Sequence, residues 1–256
     1  MDMTYFNAEE MRDNLVSWLR DWFEKNGPDC KAVIGISGGK DSTIVAAACA
    51  RAIGKERVLG VLMPNGVQKD IGDSLAVCNS LGIKYIIVNI NDGYKGISGE
   101  VRGSIKEKIG IENLSDQTLV NLAPRLRMAT LYAVSQTVKG RVINTSNKSE
   151  YMTGYFTRWG DECGDCKPLI NLLKSEVVAI GLTMPEIPRY LVEKTPSDGL
   201  SGKSDEDRLG FTYDQLDTYF KGGRVSEEVG KRIENKVFGT LFKRNPPDSF
   251  QPWPMA

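Results

Sequence analysis

Residues 32–54 read AVIGISGGKDSTIVAAACARAIG, and their order decides the fold. An apolar run without alternation, AVIGI, meets a glycine pair and passes at once into an alanine-rich segment of helical composition. Such a sequence predicts a strand covered on both faces, a tight turn and a helix. The turn, Ser37-Gly38-Gly39-Lys40-Asp41-Ser42, then lies beyond the carboxyl end of a strand, where open parallel sheets bind their ligands. Glycines admit a ligand close to the backbone, and the free N–H groups at a helix start favour an anion. Gly35 and Ile36 lead into this cradle, and Ser37 and Ser42 add hydroxyl donors. Lys40 is followed by Asp41, so the Lys-Ser/Thr ending of a Walker loop is absent. An aspartate repels phosphate unless a cation lies between them, and Mg²⁺, which takes a carboxylate together with phosphate oxygens, meets that condition. The turn reads as a pyrophosphate cradle with Asp41 carrying the metal.

Outward from this unit the pattern repeats. Runs rich in Val, Ile and Leu recur at 58–63 and 85–90, with helical stretches at 43–53 and 69–81 between them. Alternating strands and helices at an interval of about 26 residues predict a parallel sheet with right-handed crossovers. A fourth strand is expected at 141–145, beside the first. Upstream, residues 7–26 form an amphipathic helix that Asn7 and Glu10 cap and Gly27 ends. Its apolar stripe, Met11, Leu15, Trp18, Leu19, Trp22 and Phe23, serves packing within the fold or between subunits. Residues 91–116 hold five glycines and break the rhythm, as a lid or partner-contacting excursion would. A helix at 117–139, kinked near Pro124, restores it. Residues 146–207 are dense in polar, Gly and Pro residues, with short helical pieces such as 172–180, and read as an active-site loop region. Helices at 213–220 and 226–242 precede a Pro-rich tail. The expectation is one α/β domain over 1–256, a Rossmann-like parallel sheet flanked by helices.

Composition narrows the functions. Lys and Arg total 33 against 33 for Asp and Glu, which opposes a protein held to nucleic acid by charge. No apolar run is long enough for a membrane span, and the start, MDMTYFNAEE, is unlike a signal peptide, so a cytoplasmic location is expected. There is no histidine, which excludes histidine-dependent catalysis. Cys163 and Cys166 form a lone CxxC around Asp165 without the two further ligands zinc requires. It reads as neutral filling, with a redox-sensitive clasp as the alternative.

SGGKDS resembles the loop of the N-type ATP pyrophosphatases, which cleave ATP between its α and β phosphates to leave AMP. A second motif selects within that group: Asn147-Lys148-Ser149-Glu150-Tyr151, then Gly154-Tyr155-Phe156-Thr157 and Gly160-Asp161. With residues 126–132, Pro168-Leu169, 172–174 and Ser204-Asp205-Glu206, the pattern is similar to the ammonia-dependent NAD⁺ synthetase family across most of 30–215. The resemblance implies an adenine nucleotide alpha hydrolase-like fold and a homodimer. It also implies the amidation of deamido-NAD⁺ by ammonia, the last step of NAD⁺ formation, through an adenylate made from ATP.

The roles the resemblance implies fall on named positions. Gly35, Ile36, Ser37, Gly38, Gly39, Lys40, Asp41, Ser42, Thr145, Lys174 and Ser197 would contact ATP, with Asp41 and Glu150 holding Mg²⁺. Lys174 would stabilise charge on the phosphates. Arg125, Tyr132, Arg158, Asp165 and Lys243 would contact deamido-NAD⁺, and Asp165 would orient or deprotonate ammonium. Arg125 and Tyr132 are seven residues apart, so they share a helix face. Departures from the family pattern are Arg158 for lysine, Phe242 for histidine, Ser197 for threonine, and Pro124 ahead of Arg125. Two rivals share the loop. A tRNA-thiolating pyrophosphatase would use the CxxC but is opposed by the balanced charge; a non-catalytic nucleotide-binding module would not need Glu150 or Lys174. Glutamine-dependent relatives carry an added glutaminase domain. Here one helix precedes the loop, so ammonium is the expected nitrogen source.

Overall fold

A computed structural model describes residues 6–68, 71–194 and 205–250. Strand β1 (Lys31–Gly35) lies inside a four-stranded parallel sheet ordered β3-β2-β1-β4, with β2 at Val58–Leu62, β3 at Lys84–Ile87 and β4 at Gly140–Val142. The fourth strand does stand beside the first. Alternation along β1 divides the core. Ala32, Ile34 and Ile36 join the larger cluster, under α1 (Ala8–Asn26), α2 (Lys40–Ile53) and α3 (Ile71–Leu81). Val33 points the other way and meets Val61, Met63, Ile90 and Ala123 beneath α4 (Asn91–Ile109) and α5 (Asp116–Thr137).

Past β4 the chain runs through α6 (Lys148–Thr153), α7 (Lys174–Leu182) and α8 (Arg189–Glu193). Helices α9 (Asp205–Leu209), α10 (Tyr213–Phe220), α11 (Glu227–Gly239) and α12 (Leu241–Arg244) follow. Leu209, Phe211, Tyr213, Leu216 and Ile233 bury one another in a third, smaller cluster.

Several expectations need correction. β3 was expected to be covered on both faces, yet all four of its residues are exposed, because it is the sheet edge. The excursion expected at 91–116 is the regular helix α4, ended by left-handed Gly110, whose N–H reaches Ile105 and Lys106 carbonyls. Helix α5 continues through Pro124. The helix expected over 226–242 divides at Thr240 into α11 and α12. The α1 stripe splits too: Leu15, Leu19 and Phe23 are buried and Trp22 packs at the core margin, while Trp18 faces solvent.

Candidate active site

The phosphate loop is held open by its own serines. Gly39 N–H donates to Ser37 Oγ at 3.2 Å, Ser42 Oγ donates to the Gly39 carbonyl at 3.0 Å, and the two hydroxyls lie 3.2 Å apart. Gly38 has φ +77°, and a Cβ there would sit 2.9 Å from Asp73 Cβ and 3.0 Å from the Ser74 nitrogen. Only glycine fits that turn. Gly39 stands at the N-cap of α2 and supplies no side-chain acceptor, so the helix presents its first N–H groups and their partial positive charge to the loop. Lys40 beside them is half-buried, and burial, reinforced by the charge of Lys174, lowers its pKa.

Opposite the loop, three charged groups converge. Lys174 Nζ donates to Asp41 Oδ2 at 2.7 Å and to Glu150 Oε1 at 2.9 Å. Asp41 comes from the first turn of α2, Glu150 from α6 after β4, and Lys174 from the start of α7. The neighbouring of β1 and β4 makes the meeting possible. Asn147 locks it: its side chain and Glu150 form a reciprocal capping box on α6, and its Nδ2 donates to Asp41 Oδ1 at 3.1 Å. Burial pushes the Glu150 carboxyl up to about 7 against the attraction of Lys174, and the charge of Asp41 adds to the rise. Burial pulls on Lys174 in the opposite sense, but the two carboxylates outweigh it and hold its pKa well above the ordinary value. The ammonium therefore stays charged. The cation found between Asp41 and Glu150 is Lys174, where sequence reading placed only a metal.

Mg²⁺ usually keeps several waters and binds one or two carboxylates plus substrate phosphates. Two carboxylates meeting at a phosphate loop are such a donor set. A full protein cage is not present: among the described residues, no three His, Cys, Asp or Glu side chains cluster to hold an ion.

Lys174 also rests on an aromatic ring. Its Nζ lies 5.3 Å from the centre of Tyr213, whose hydroxyl donates to Asp205 Oδ2 at 3.2 Å. Asp205 also accepts from Tyr155 at 3.1 Å. Asn147 stood inside a quoted motif without a role, and Tyr213 was missed. Its signal in sequence was only the amphipathic spacing of α10.

The residues assigned to the second substrate line the other side of β4. Asp165 is fixed to that strand, with Oδ2 accepting from Val142 N–H at 2.8 Å and Oδ1 from Tyr132 at 3.3 Å. Burial pushes Tyr132 up to about 12, and the charge of Asp165 adds to this. Arg125 Nε donates to the Arg158 carbonyl at 3.3 Å, so Arg125, Tyr132, Arg158 and Asp165 do belong to one region. The Arg158 guanidinium lies 4.9 Å from the Trp159 ring and 6.0 Å from that of Phe242, and its buried Nε makes no hydrogen bond. Trp159 holds φ +62°, a costly conformation for a large side chain, with its ring half exposed. Lys243 lies in α12. Its ammonium donates to the Gly154 and Phe156 carbonyls, each at 2.8 Å, and ties α12 to the loop after α6. Gly154 permits the approach: with φ +64°, a Cβ there would lie 2.3 Å from Thr240. Thr145 follows β4 half-buried. Ser197 lies outside the described residues.

Cys163 and Cys166 are both free thiols. Burial pushes them up to about 11 and about 12, with the neighbouring charges of Glu162 and Asp165 adding, which makes them poor nucleophiles. Gly164 between them passes against Asn144, where a Cβ would meet the side chain at 2.7 Å. The pair packs the loop that carries Asp165.

The family model described as NAD synthase matches residues 11–247. The chain belongs to the NAD synthase family. It is 44% identical over 205 residues to the NH(3)-dependent NAD(+) synthetase of Thermococcus sibiricus, covering 79% of this chain and 76% of the relative. Among solved structures, NMN synthetase from Francisella tularensis superposes with a TM-score of 0.86 at 31% identity, over 96% of this chain and 99% of that one. The NH3-dependent NAD synthetase from Campylobacter jejuni gives a TM-score of 0.77 at 26% identity, over 96% and 100% of the two chains. The adenine nucleotide alpha hydrolase-like sheet expected from the sequence is thus the fold of this NAD synthase-family chain.

Proposed function

We propose that this protein joins ammonia to the nicotinate carboxylate of deamido-NAD⁺ using ATP, with release of AMP and pyrophosphate. The observation that carries the proposal is the Asp41–Lys174–Glu150 group assembled over the phosphate loop. A carboxylate cannot expel oxide, so one of its oxygens first attacks the α-phosphorus of ATP and the bond to the β-phosphate oxygen breaks. Ammonia then attacks the acyl carbon of the adenylate, AMP leaves, and the nitrogen gives up a proton.

Each group in the structure suits a part of this sequence. The loop N–H groups and the start of α2 receive the phosphates. Lys174, already balanced between two carboxylates, faces the negative charge that grows on departing pyrophosphate. Asp41 and Glu150 would hold Mg²⁺, which when bound neutralises phosphate charge. Asp165, immobilised on β4, orients ammonium and takes a proton. The guanidinium of Arg158 suits a phosphate or carboxylate oxygen of the dinucleotide, as its aromatic neighbours suit a planar ring.

The protein acts as a homodimer on this proposal, through the exposed apolar side chains Ile97 and Val101 of α4 and Leu119 and Val120 of α5. That surface includes α5, the helix of Arg125, while the α1 stripe offers only Trp18, because Trp22 packs within its own chain. Five free cysteines fit a reducing cytoplasm, and no described helix is long and apolar enough to cross a membrane. The thiolating rival loses support, since Cys163 and Cys166 are deactivated by burial.

The test is mass-resolved product analysis with ATP, Mg²⁺, deamido-NAD⁺ and either ammonium or glutamine. Ammonium should yield NAD⁺ and AMP, at rates that rise with pH as NH₃ replaces NH₄⁺, and glutamine should yield little. Equal rates from glutamine in ammonia-free buffer would overturn the nitrogen assignment. A second reading is amidation of the mononucleotide, nicotinate mononucleotide, favoured by the likeness to NMN synthetase from Francisella tularensis. The same assay run with both acids decides between them by the ratio of kcat/KM.

A further inference from the structure

Lys174 serves the site only if the start of α7 is held still, and its own residues cap that start only in part, with Glu176 Oε2 accepting from the Leu173 N–H at 2.9 Å. Leu173 at the N-cap offers no side-chain acceptor to the free N–H groups that follow. The acceptors come from two other helices. Lys174 N–H donates to Ser149 Oγ of α6 at 3.0 Å, and Ser175 N–H donates to Asp217 Oδ2 of α10 at 3.0 Å. Ser149 Oγ in turn donates to Asp217 Oδ1 at 3.2 Å. Ser149 is inaccessible to solvent, and Asp217 and Lys174 are each 5% exposed.

One buried carboxylate therefore closes the first turns of α6 and α7 together. The residue after Ser149 is Glu150, and the residue before Ser175 is Lys174, so the two linked backbones carry two of the three charged groups of the site. A carboxylate at a helix start also answers the helix dipole. Tyr213, four residues before Asp217 and on the same face of α10, supplies the ring against the Lys174 ammonium. Helix α10 thus holds the backbone beside Lys174, at Ser175, and meets the tip of the Lys174 side chain.

We infer that Asp217 is a positioning residue for the reaction: it acts through Ser149 and Ser175 to set Lys174 between Asp41 and Glu150. In Asp217→Asn the amide oxygen can keep Ser175 N–H, but the amide nitrogen cannot accept the Ser149 O–H, so that bond and the negative charge at the two helix starts are lost without loss of volume. A displacement near 1 Å at a reacting group costs about 10²-fold in rate, so a decline in kcat of about 10- to 100-fold is expected. KM for ATP and for deamido-NAD⁺ should change by less than about threefold, since the fault lies in alignment.

The inference rests on the amidation reading for its rate assay, and the test is a cycle of four proteins: the parent, Asp217→Asn, Lys174→Met and the double variant. If Asp217 acts through Lys174, Asp217→Asn lowers kcat in the parent and adds no more than about twofold once Lys174 is gone. Losses that multiply, or an unchanged kcat in the single variant, overturn the inference. Should Asp217→Asn fail to fold, Ser149→Ala breaks the same link and takes its place in the cycle. Amide hydrogen exchange supplies a readout independent of substrate. Peptides covering 173–176 should exchange faster in Asp217→Asn while those covering β1 and α5 keep their protection. Unchanged exchange at 173–176 overturns the inference whatever the enzyme amidates. A parent that amidates neither acid overturns the functional reading alone, and exchange then decides this one.

Discussion

Replacing Lys174 with methionine is expected to cost both the reaction and a large part of the stability. The side chain is 6% exposed and is shared by two carboxylates at 2.7 and 2.9 Å. Methionine fills the volume but leaves Asp41 and Glu150 facing each other without a cation. Breaking a buried ion pair from one side typically costs about 3–5 kcal/mol, because the abandoned charge stays desolvated. Loss of a preorganised charge over the departing pyrophosphate should lower turnover by about 10²–10³-fold. The stability deficit has a pH signature. With the ammonium gone, Glu150, which burial and the charge of Asp41 already push up, binds its proton more readily folded than unfolded, so stability is retained in acid and lost as pH rises. Urea unfolding at pH 5 and pH 8, beside NAD⁺ formation, measures both effects. An unfolding midpoint like that of the parent, with kcat within tenfold, would contradict the central role of Lys174.

Asp41→Asn should separate chemistry from folding. Asp41 accepts from Asn147 Nδ2 at 3.1 Å and from Lys174 at 2.7 Å, and an asparagine oxygen can keep one of these bonds. Glu150 still pairs with the ammonium, so the folded state should lose only about 1–2 kcal/mol. Turnover should fall by about 10²-fold or more, since the variant removes a charge beside the Ser37–Ser42 loop and, on the proposed function, a ligand for Mg²⁺. Pyrophosphate release at rising Mg²⁺ provides the measurement, and near-normal rates at saturating Mg²⁺ would sink the metal assignment.

Much of this architecture is legible in the sequence, because short-range physics decides it. The runs AVIGI and VLGVL are strands by composition alone, and SGGKDS after the first of them marks the loop at the carboxyl end of β1. Helix α4 was hidden because Gly93, Gly96, Gly99 and Gly103 argue against a helix, each by about 1 kcal/mol relative to alanine. Tertiary packing on α5, including the Tyr94 hydroxyl donating to the Leu119 carbonyl, overrides that preference. The exposure of β3 was hidden because apolar composition does not tell an edge strand from a central one. At the site, the motifs identified Asp41, Glu150 and Lys174 separately. That the ammonium sits between the carboxylates depends on where α7 is laid, which no local pattern encodes. Asp217 left one trace: an acidic residue within the apolar spacing of Tyr213, Leu216 and Phe220, on the buried side of an otherwise ordinary amphipathic helix.

The thiols buried inside this chain make it a reporter of its own opening. Cys49 is wholly enclosed, its pKa raised by burial, and Cys78 is pushed up to about 11 by the same cause. Neither offers a thiolate to a labelling reagent while α2 and α3 stay on the sheet. Their modification in dilute thiol reagent should therefore run at the pace of unfolding, and a bound substrate that stabilises the fold should slow it in proportion. The fraction unmodified at Cys49 and Cys78, followed by peptide mass, would then yield substrate affinities without any turnover at all.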